Sequence, residues 1–130
     1  REFTNKIGLV STAVCDHPEI NEIVDDLSAL GFQVSVASLR LDDLTPEIVG
    51  LLQRSGERTL TIAPETGSDR LRRVINKTVT NDEILEKAEL IFASGIENLK
   101  LYYMIGLPTE TDEDTLGIAT LALDGGWTAR

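Results

Sequence analysis

Short apolar runs recur along the chain, and each is followed by a stretch whose apolar residues have helical spacing. The apolar runs begin near Ile7, Gln33, Thr59 and Leu99. Runs of this length are typical of strands that helices cover on both faces. Strands that alternate with helices form parallel sheets joined by right-handed crossovers. The pattern therefore predicts an α/β fold, with an open, all-parallel, four-stranded sheet and its helices outside.

Capping residues and glycines predict where the helices begin and end. The predicted helices run from Pro18 to Leu30 with Asp16 as the N-cap, from Thr45 to Ser55, from Ser68 to Ile75, from Asp82 to Ser94 and from Thr115 to Leu123. Thr80 and Glu83 have the spacing of a capping box for the fourth helix. Thr111 and Asp114 stand at the head of the fifth helix, where an acidic residue suits the positive end of the helix dipole.

The stretch from Lys100 to Asp114 contains a strand, a turn and a helix start. An apolar run from Leu99 to Ile105 ends at Gly106, which tolerates backbone conformations closed to other residues. Pro108 then keeps Leu107 out of the helical region. We expect the run to be a strand buried on both faces. The residues after it should lie at the carboxyl edge of the sheet, where parallel α/β folds bind their ligands.

Polar residues that a strand does not need follow three of the predicted strands. They are Ser38 and Arg40 after the second, Glu65 after the third, and Gly106 and Glu110 after the fourth. At one sheet edge, a guanidinium, a carboxylate and exposed backbone groups could surround a small molecule. A carboxylate recognises ribose hydroxyls by accepting two hydrogen bonds, and Arg binds a substrate carboxylate as a bidentate fork.

Simpler interpretations of these residues stay open. Glu65 could be a solvated carboxylate in a strand-to-helix turn, because polar residues dominate turns. Arg40 could pair with Asp42 or Asp43, as an exposed Arg among acidic residues often does. Glu110 could be one member of an acidic helix start.

Composition narrows the function classes. The 130 residues are 42% hydrophobic and 26% charged, which suits one globular domain. The formal net charge is −10, so the chain as a whole repels nucleic-acid backbones and anionic lipid, and we expect no non-specific affinity for either. Arg70, Arg72 and Arg73 form a basic cluster, which we interpret as a solvated helix face. On the predicted helix Arg70 and Arg73 share one face, and Leu71, Val74 and Ile75 take the other. No apolar run has the length of a membrane span and no signal sequence is evident, so we expect a cytoplasmic protein.

The single cysteine, Cys15, excludes an internal disulfide and a CxxC metal site. His17 follows closely, but a structural zinc site needs four ligands. We therefore interpret Cys15 as a small buried thiol and His17 as a loop residue before Pro18.

Four segments together resemble radical S-adenosylmethionine (radical SAM) enzymes. They are Ser38 to Asp42, Ile62 to Arg72, Ile75 to Lys77, and Leu101 to Asp114 with its Gly-Leu-Pro-Thr-Glu-Thr sequence. Their order and spacing are similar to those of the branch that often carries an N-terminal cobalamin-binding-type domain, and they extend over nearly the whole chain. The resemblance implies part of a six-unit, TIM-barrel-like (β/α) partial barrel. In that family S-adenosylmethionine lies over a 4Fe-4S cluster and is cleaved to a 5′-deoxyadenosyl radical.

The resemblance also implies roles for individual residues. The implied cofactor-binding residues are Ser38, Arg40, Glu65, Met104, Ile105 and Gly106. Glu65 would hold the ribose and Arg40 the methionyl carboxylate of S-adenosylmethionine, while the backbone of the last three residues would bind the adenine. Ser11 to Cys15 would sit where the family often binds the methionyl amine, although the usual Gly-Gly-Glu is absent. The resemblance assigns no catalytic residue and no metal ligand to this chain.

The family's cluster motif, CxxxCxxC, is absent from this sequence. Residues 1–130 are therefore interpreted as a single-domain fragment, about βα units two to five, of a radical SAM oxidoreductase or transferase. We expect the segment to be inactive in isolation and to depend on the rest of the parent polypeptide for its iron–sulfur cluster. We also expect it to self-associate through exposed sheet edges, which sedimentation would detect, and to have no membrane or nucleic-acid partner.

A complete small α/β module that binds a nucleotide or a protein, without catalytic activity, is the alternative. In that case helices would cover both faces of a doubly wound sheet. A CxxxCxxC segment encoded upstream of this sequence would favour the enzyme fragment over the binding module.

Overall fold

The computed structural model describes residues 5–10, 14–36 and 39–125, and strands alternate with helices through them. The strands are β1 (Lys6–Leu9), β2 (Gln33–Val36), β3 (Thr59–Glu65) and β4 (Asn98–Tyr103). The helices are α1 (Ile20–Ala29), α2 (Pro46–Arg54), α3 (Asp69–Val74), α4 (Asn81–Ala93) and α5 (Asp112–Asp124). This alternation confirms the predicted α/β class. None of the helices in these ranges combines the length and the apolarity of a membrane span.

The chain divides into two compact units. The first comprises Arg1–Ile62 and Leu90–Lys100, and it contains β1, β2, α1 and α2. The second comprises Ala63–Glu89 and Leu101–Arg130, and it contains α3, α5 and the carboxyl ends of β3 and β4. Each unit has its own set of buried residues.

β1 and β2 pair in parallel in the first unit, with Lys6 opposite Gln33. The predicted four-stranded sheet is wrong for the residues described, because β1 pairs with β2, β3 pairs with β4, and each sheet has two strands. The N–H of Gln33 donates to the carbonyl of Asn5. Because alternate residues of a parallel strand direct their backbone N–H and C=O groups to opposite sides, those of Val34 point away from β1. On that outer side the carbonyl of Val34 accepts a hydrogen bond from the buried hydroxyl of Ser55, 3.0 Å away. A side chain thus takes an acceptor that a further strand would need.

β3 and β4 also pair in parallel, since hydrogen bonds join the beginnings of the two strands to each other and their ends to each other. The N–H of Asn98 donates to the carbonyl of Arg58 at 3.0 Å, and that of Met104 donates to the carbonyl of Glu65 at 2.7 Å. The expectation that β4 is buried on both faces is wrong, because exposed and half-buried residues alternate along it and Tyr102 is 62% exposed. Alternate side chains of a strand point to opposite faces, so one face of β4 is open to solvent in the described part of the chain.

The core of the first unit is formed by α1, α2, β1 and β2. One cluster of this core has the buried residues Ile20, Val24, Val34 and Leu51, with Leu9, Val14, Leu27 and Ile48 packed against them. The apolar residues of α1 recur at helical spacing, as the sequence pattern predicts. Burial of each such side chain stabilises the fold by about 1.5–3 kcal/mol.

α1 begins at Ile20, after Glu19, which makes no side-chain capping hydrogen bond. The predicted N-cap, Asp16, is wrong. Its carboxylate lies in a 3₁₀ turn and accepts hydrogen bonds from the guanidinium of Arg40. An N-cap residue directly precedes the first helical residue, and Asp16 lies four residues before Ile20, so it is not in the capping position.

The caps predicted at Ser68 and Thr80 are confirmed, and Thr45 and Thr111, which the sequence places at helix starts, also act as caps. First-turn N–H groups donate to the side-chain oxygens of Thr45, Ser68, Thr80 and Thr111. Glu83 and Asp114 complete capping boxes by accepting from the N–H groups of Thr80 and Thr111, at 2.9 and 2.8 Å. α5 therefore begins at Asp112, directly after its cap and ahead of the predicted start.

α3 buries a different face from the predicted one. Leu71 and Arg72 are both fully buried, whereas Val74 is 49% exposed. The interpretation of Arg72 as a solvated residue is therefore wrong. The cause is a set of hydrogen-bond acceptors around its guanidinium, which form part of the site.

Candidate functional site

Glu65 is the last residue of β3, and its backbone and side chain are held separately. Its φ is 71°, in the left-handed region that non-glycine residues rarely adopt. Its carbonyl accepts the N–H of Met104 at 2.7 Å. Its Oε1 lies 2.7 Å from the Nζ of Lys77, and the side chain remains 23% exposed. The carboxylate is therefore fixed at the carboxyl end of β3 and still reachable by a ligand.

Arg72 is fully buried and uses all five N–H groups of its guanidinium. The acceptors are the carbonyls of Pro64, Thr66 and Val79 and the side chains of Asp69 and Asn81. The bond to Asp69 is 2.8 Å long, and those to Pro64 and Thr66 are 3.1 and 3.0 Å long. Burial lowers the pKa of Arg72, opposed by its hydrogen bond to Asp69, but Arg stays charged at neutral pH. Two of these acceptors, Pro64 and Thr66, flank Glu65.

The segment after β4 exposes apolar side chains, and its turn is held by hydrogen bonds to the carboxylate of Glu110. Met104 is 43% exposed and Ile105 is 72% exposed. Gly106 has a φ of 83°, which confirms the predicted glycine exit. The carboxylate of Glu110 accepts the N–H groups of Gly106 and Leu107, the latter at 2.9 Å. Of the backbone N–H groups assigned to adenine, those of Met104 and Gly106 are thus already donated within the protein.

Asp114 joins the turn after β3 to the turn after β4. Its carboxylate is 5% exposed and accepts hydrogen bonds from Arg70, Ser68 and the N–H of Thr111. Arg70 also donates to the carbonyl of Thr109 at 2.7 Å. These bonds, that from Arg70 first, hold the pKa of Asp114 well below its usual range. Arg70 is exposed, as the interpretation of a solvated helix face implies, and its guanidinium is also bonded to Asp114 and Thr109.

A close backbone contact between Gly67 and Gly117 reinforces this junction. A Cβ on Gly67 would overlap backbone atoms of Asp114 and Ile118, and a Cβ on Gly117 would overlap the carbonyl of Gly67. Only glycine permits an approach of this kind at both positions.

Arg40 lies in the first unit and is paired with two carboxylates. Its Nη2 lies 3.1 Å from Oδ2 of Asp16 and 3.1 Å from Oδ1 of Asp43. The side chains of Arg40 and Asp16 are more than half exposed, whereas that of Asp43 is largely covered. The hydrogen bond to Asp43 is the main cause that raises the pKa of Arg40. Of the partners that the sequence left open, the structure shows Asp43 and not Asp42.

Asp16 and His17 border two cavities of the first unit, of about 470 and 440 Å³. The larger is lined mainly by apolar residues, and the smaller also contacts Cys15. Cys15 is half-buried, and this burial raises the pKa of its thiol, with the charges of Asp43 and Asp16 acting in the same direction. Nδ1 of His17 accepts the N–H of Glu19 at 3.2 Å. The described ranges contain no group of three or more His, Cys, Asp or Glu suited to a metal ion.

Two sequence-based assignments fall on residues that the structure does not describe. Ser38 lies outside the described ranges, and so do residues 11–13 of the Ser11 to Cys15 segment. Among the other assigned residues, Glu65 and Met104 come together in the second unit through a backbone hydrogen bond. Arg40 belongs to the first unit.

Two residues of the site had no functional role in the sequence analysis. Lys77 stood in the motif Ile75-Asn76-Lys77, and the signal for it was a basic residue soon after the acidic turn at Glu65. No sequence pattern indicated the role of Arg72, because most of its acceptors are backbone carbonyls, which every residue has.

The sequence matches the Radical SAM superfamily over residues 1–122. It is also similar to an uncharacterized protein of Methanocaldococcus jannaschii, MJ0966, with 42% identity over 110 residues. The aligned region is 85% of this chain and 24% of that protein, so the chain spans about a quarter of the length of the curated relative it matches.

Proposed function

Because the chain belongs to the radical SAM superfamily, we propose that it forms part of the S-adenosylmethionine-binding rim of a longer iron–sulfur oxidoreductase or transferase. Membership implies S-adenosylmethionine and an iron–sulfur cluster in the full-length protein, and together these supply radical chemistry when bound. We assign no activity to the 130 residues alone. The order of the motifs supports placing the parent in the branch that often carries a cobalamin-binding-type domain, which the sequence of the full-length protein would test.

The cluster does not fit the residues of this chain. Iron–sulfur clusters are held by several Cys thiolates, and the chain has one cysteine, Cys15. We therefore place the cluster on other residues of the parent polypeptide and assign it no ligand here.

The fixed but accessible carboxylate of Glu65 carries the proposal. Within the described residues, Oε1 is bonded to Lys77 and no hydrogen bond reaches Oε2. A carboxylate has several acceptor sites, so two ribose hydroxyls can donate to it beside Lys77. The left-handed φ of Glu65 is a strained conformation of the kind that clusters at ligand sites.

The exposed segment after β4 supports an adenine site next to the ribose site. The N–H of Met104 is bonded to the carbonyl of Glu65, so the two assigned positions are direct neighbours. The exposed side chains of Met104 and Ile105 offer an apolar surface to a planar base. Adenine hydrogen bonds at this segment would use backbone carbonyls or the N–H of Ile105, because those of Met104 and Gly106 are already donated.

Arg40 is assigned to the methionyl carboxylate from the resemblance, and Ser38 is assigned to cofactor binding without a specific role. In that role the ligand would replace Asp16, whose side chain is 59% exposed, and not Asp43, whose side chain is 10% exposed. Asp43 would continue to orient the guanidinium for a bidentate contact.

Substitution Glu65→Gln in the full-length protein tests the ribose assignment. The change keeps the size of the side chain but removes the charge from its hydrogen bonds with the ribose. We expect the affinity for S-adenosylmethionine, measured by equilibrium binding, to fall about 10- to 100-fold. Glu89→Gln, the same change on an exposed residue of α4, is the matched control and should leave the affinity unchanged. Equal affinities of the Glu65 and Glu89 variants would refute the assignment.

A further inference from the structure

We propose that Arg72 is the positioning residue that holds the ribose-binding carboxylate of Glu65 in place. Arg72 acts only through Glu65 in this scheme, so the proposal rests on the proposed function. Two observations support it. All five N–H groups of the buried guanidinium donate hydrogen bonds, and two of the acceptors are backbone carbonyls on either side of Glu65.

The guanidinium clamps the backbone on both sides of Glu65. Nε donates to the carbonyl of Pro64, and Nη2 donates to the carbonyl of Thr66. The carbonyl of Pro64 belongs to the peptide group that leads directly into Glu65, and the carbonyl of Thr66 belongs to the peptide group between Thr66 and Gly67, one residue further on. A donor on each side limits the rotation of both peptide groups, which keeps Glu65 at its left-handed φ of 71°.

Arg72 also holds the partner of Glu65. The carbonyl of Arg72 accepts the N–H of Lys77 at 2.8 Å, and Nη1 donates to the carbonyl of Val79 at 3.1 Å. The turn that carries Lys77 is therefore attached to Arg72 near both of its ends. Arg72 thus holds the backbone beside Glu65 through its guanidinium, and the backbone around Lys77 through its guanidinium and its own carbonyl.

Stability alone does not account for a charge at this position. A buried ion is costly to remove from water, and replacement of a whole buried ion pair by well-packed apolar side chains is often neutral or stabilising. The planar fork of Arg, by contrast, reaches five acceptors in fixed directions, which neither an apolar residue nor Lys can do. Geometry at the turn is what the Arg provides.

A double-mutant cycle between Arg72→Lys and Glu65→Gln tests the proposal. The full-length protein is titrated with S-adenosylhomocysteine, which contains the ribose, and with its 2′-deoxyribose analogue. We expect Arg72→Lys to weaken S-adenosylhomocysteine binding about tenfold, and to reduce the preference for the ribose over the deoxyribose compound. In the Glu65→Gln background the same change should alter affinity less than about twofold. Arg73→Lys, the same substitution at the exposed neighbouring residue, is the control and should change neither quantity.

The outcomes separate this inference from the proposed function. If Glu65→Gln weakens binding but Arg72→Lys does not, or does so equally in both backgrounds, the positioning role is overturned and the ribose site stands. If Glu65→Gln has no effect, the ribose site fails and the positioning role fails with it. If Arg72→Lys weakens the binding of both compounds equally, the positioning role is also overturned, because a general structural defect would lower both affinities without changing the preference for ribose.

Asp69→Asn provides a second variant if Arg72→Lys does not fold. Asp69 is the carboxylate partner of Arg72, and its side chain is 40% exposed, so the change is milder. We expect a smaller loss of ribose preference, which should again disappear in the Glu65→Gln background. A folded Asp69→Asn protein with unchanged ribose preference would overturn the proposal.

Discussion

Arg40 in the first unit and Arg72 in the second show two opposite ways of holding a guanidinium. The side chain of Arg40 is 58% exposed and meets two carboxylates. That of Arg72 is fully buried and meets three backbone carbonyls, one amide and one carboxylate. The pair of Arg40 with Asp16 lies in water, which weakens the attraction and can replace either partner, whereas Asp43 is largely covered. Removal of Arg72 would instead leave buried carbonyls without a donor.

The contrast teaches that charge complementarity and structural importance are separate matters. Arg40 has the larger number of opposite charges around it, yet it is itself exposed and one of its two partners, Asp16, is open to water. Arg72 has one opposite charge, yet it joins the end of β3 to the starts of α3 and α4. Burial and the number of acceptors, more than the count of charges, determine what each Arg does for the fold.

The largest expected effect is on the free energy of unfolding of Arg72→Leu. We expect a loss of about 2–6 kcal/mol, because the change leaves the buried carbonyls of Pro64 and Thr66 without a donor, at about 1–3 kcal/mol each. Arg40→Leu, the same substitution at the exposed Arg, should have a far smaller effect. Urea denaturation measures both, and equal losses in the two variants would contradict the comparison.

A smaller effect should appear at the backbone that Arg72 clamps. Because Glu65 has a positive φ, Glu65→Gly should be more stable than Glu65→Ala, by about 1–2 kcal/mol. At Glu89, inside α4, the order should reverse, since Gly is about 1 kcal/mol less favourable than Ala in a helix. Urea midpoints of the four variants provide the measurement. A common order at both positions would show that the φ of Glu65 carries no strain.

The smallest effect concerns Arg70, which is intermediate between the two cases because it is 45% exposed and its partner Asp114 is buried. The pKa of Asp114 is depressed in the folded protein, so the pair stabilises the fold above the unfolded value of about 3.9. This stability is lost as the pH falls below that value, because the unfolded chain then binds the proton more readily.

Asp114→Asn should therefore lower stability at neutral pH and flatten the dependence of stability on pH below about 4. Urea midpoints between neutral and acidic pH would show this. Asp112→Asn, an exposed change in the same helical turn, should retain most of the wild-type slope. A wild-type slope in Asp114→Asn would mean that the Arg70 pair adds no stability.

Local features of this fold could be predicted from the sequence, and features that depend on distant residues could not. The caps at Thr45, Ser68, Thr80 and Thr111 were predictable because each cap and its partner lie within one helical turn. The sheet arrangement was not, since the outer side of β2 is taken by Ser55, 21 residues from Val34. A pattern of apolar residues carries no information about such a bond.

The same distinction applies to the candidate site. Glu65 could be proposed because a carboxylate after a strand is visible in the sequence, and the pairing of Arg40 with Asp43 because its partner is close in the chain. Arg72 could not, because backbone carbonyls are present at every residue and only the fold decides which of them converge. Arg72 was therefore grouped with the neighbouring basic residues and interpreted as part of a solvated helix face.

The contact between Gly67 and Gly117 has a consequence for how this chain can vary. Each glycine faces backbone atoms of the other segment, so an added side chain at one position cannot be accommodated by a smaller residue elsewhere. Gly31 differs, because a Cβ there would meet nothing within 4 Å and only its φ of 87° disfavours replacement. For protein engineering, positions 67 and 117 are thus a pair that must be left unaltered, even though neither contributes a functional group to a ligand.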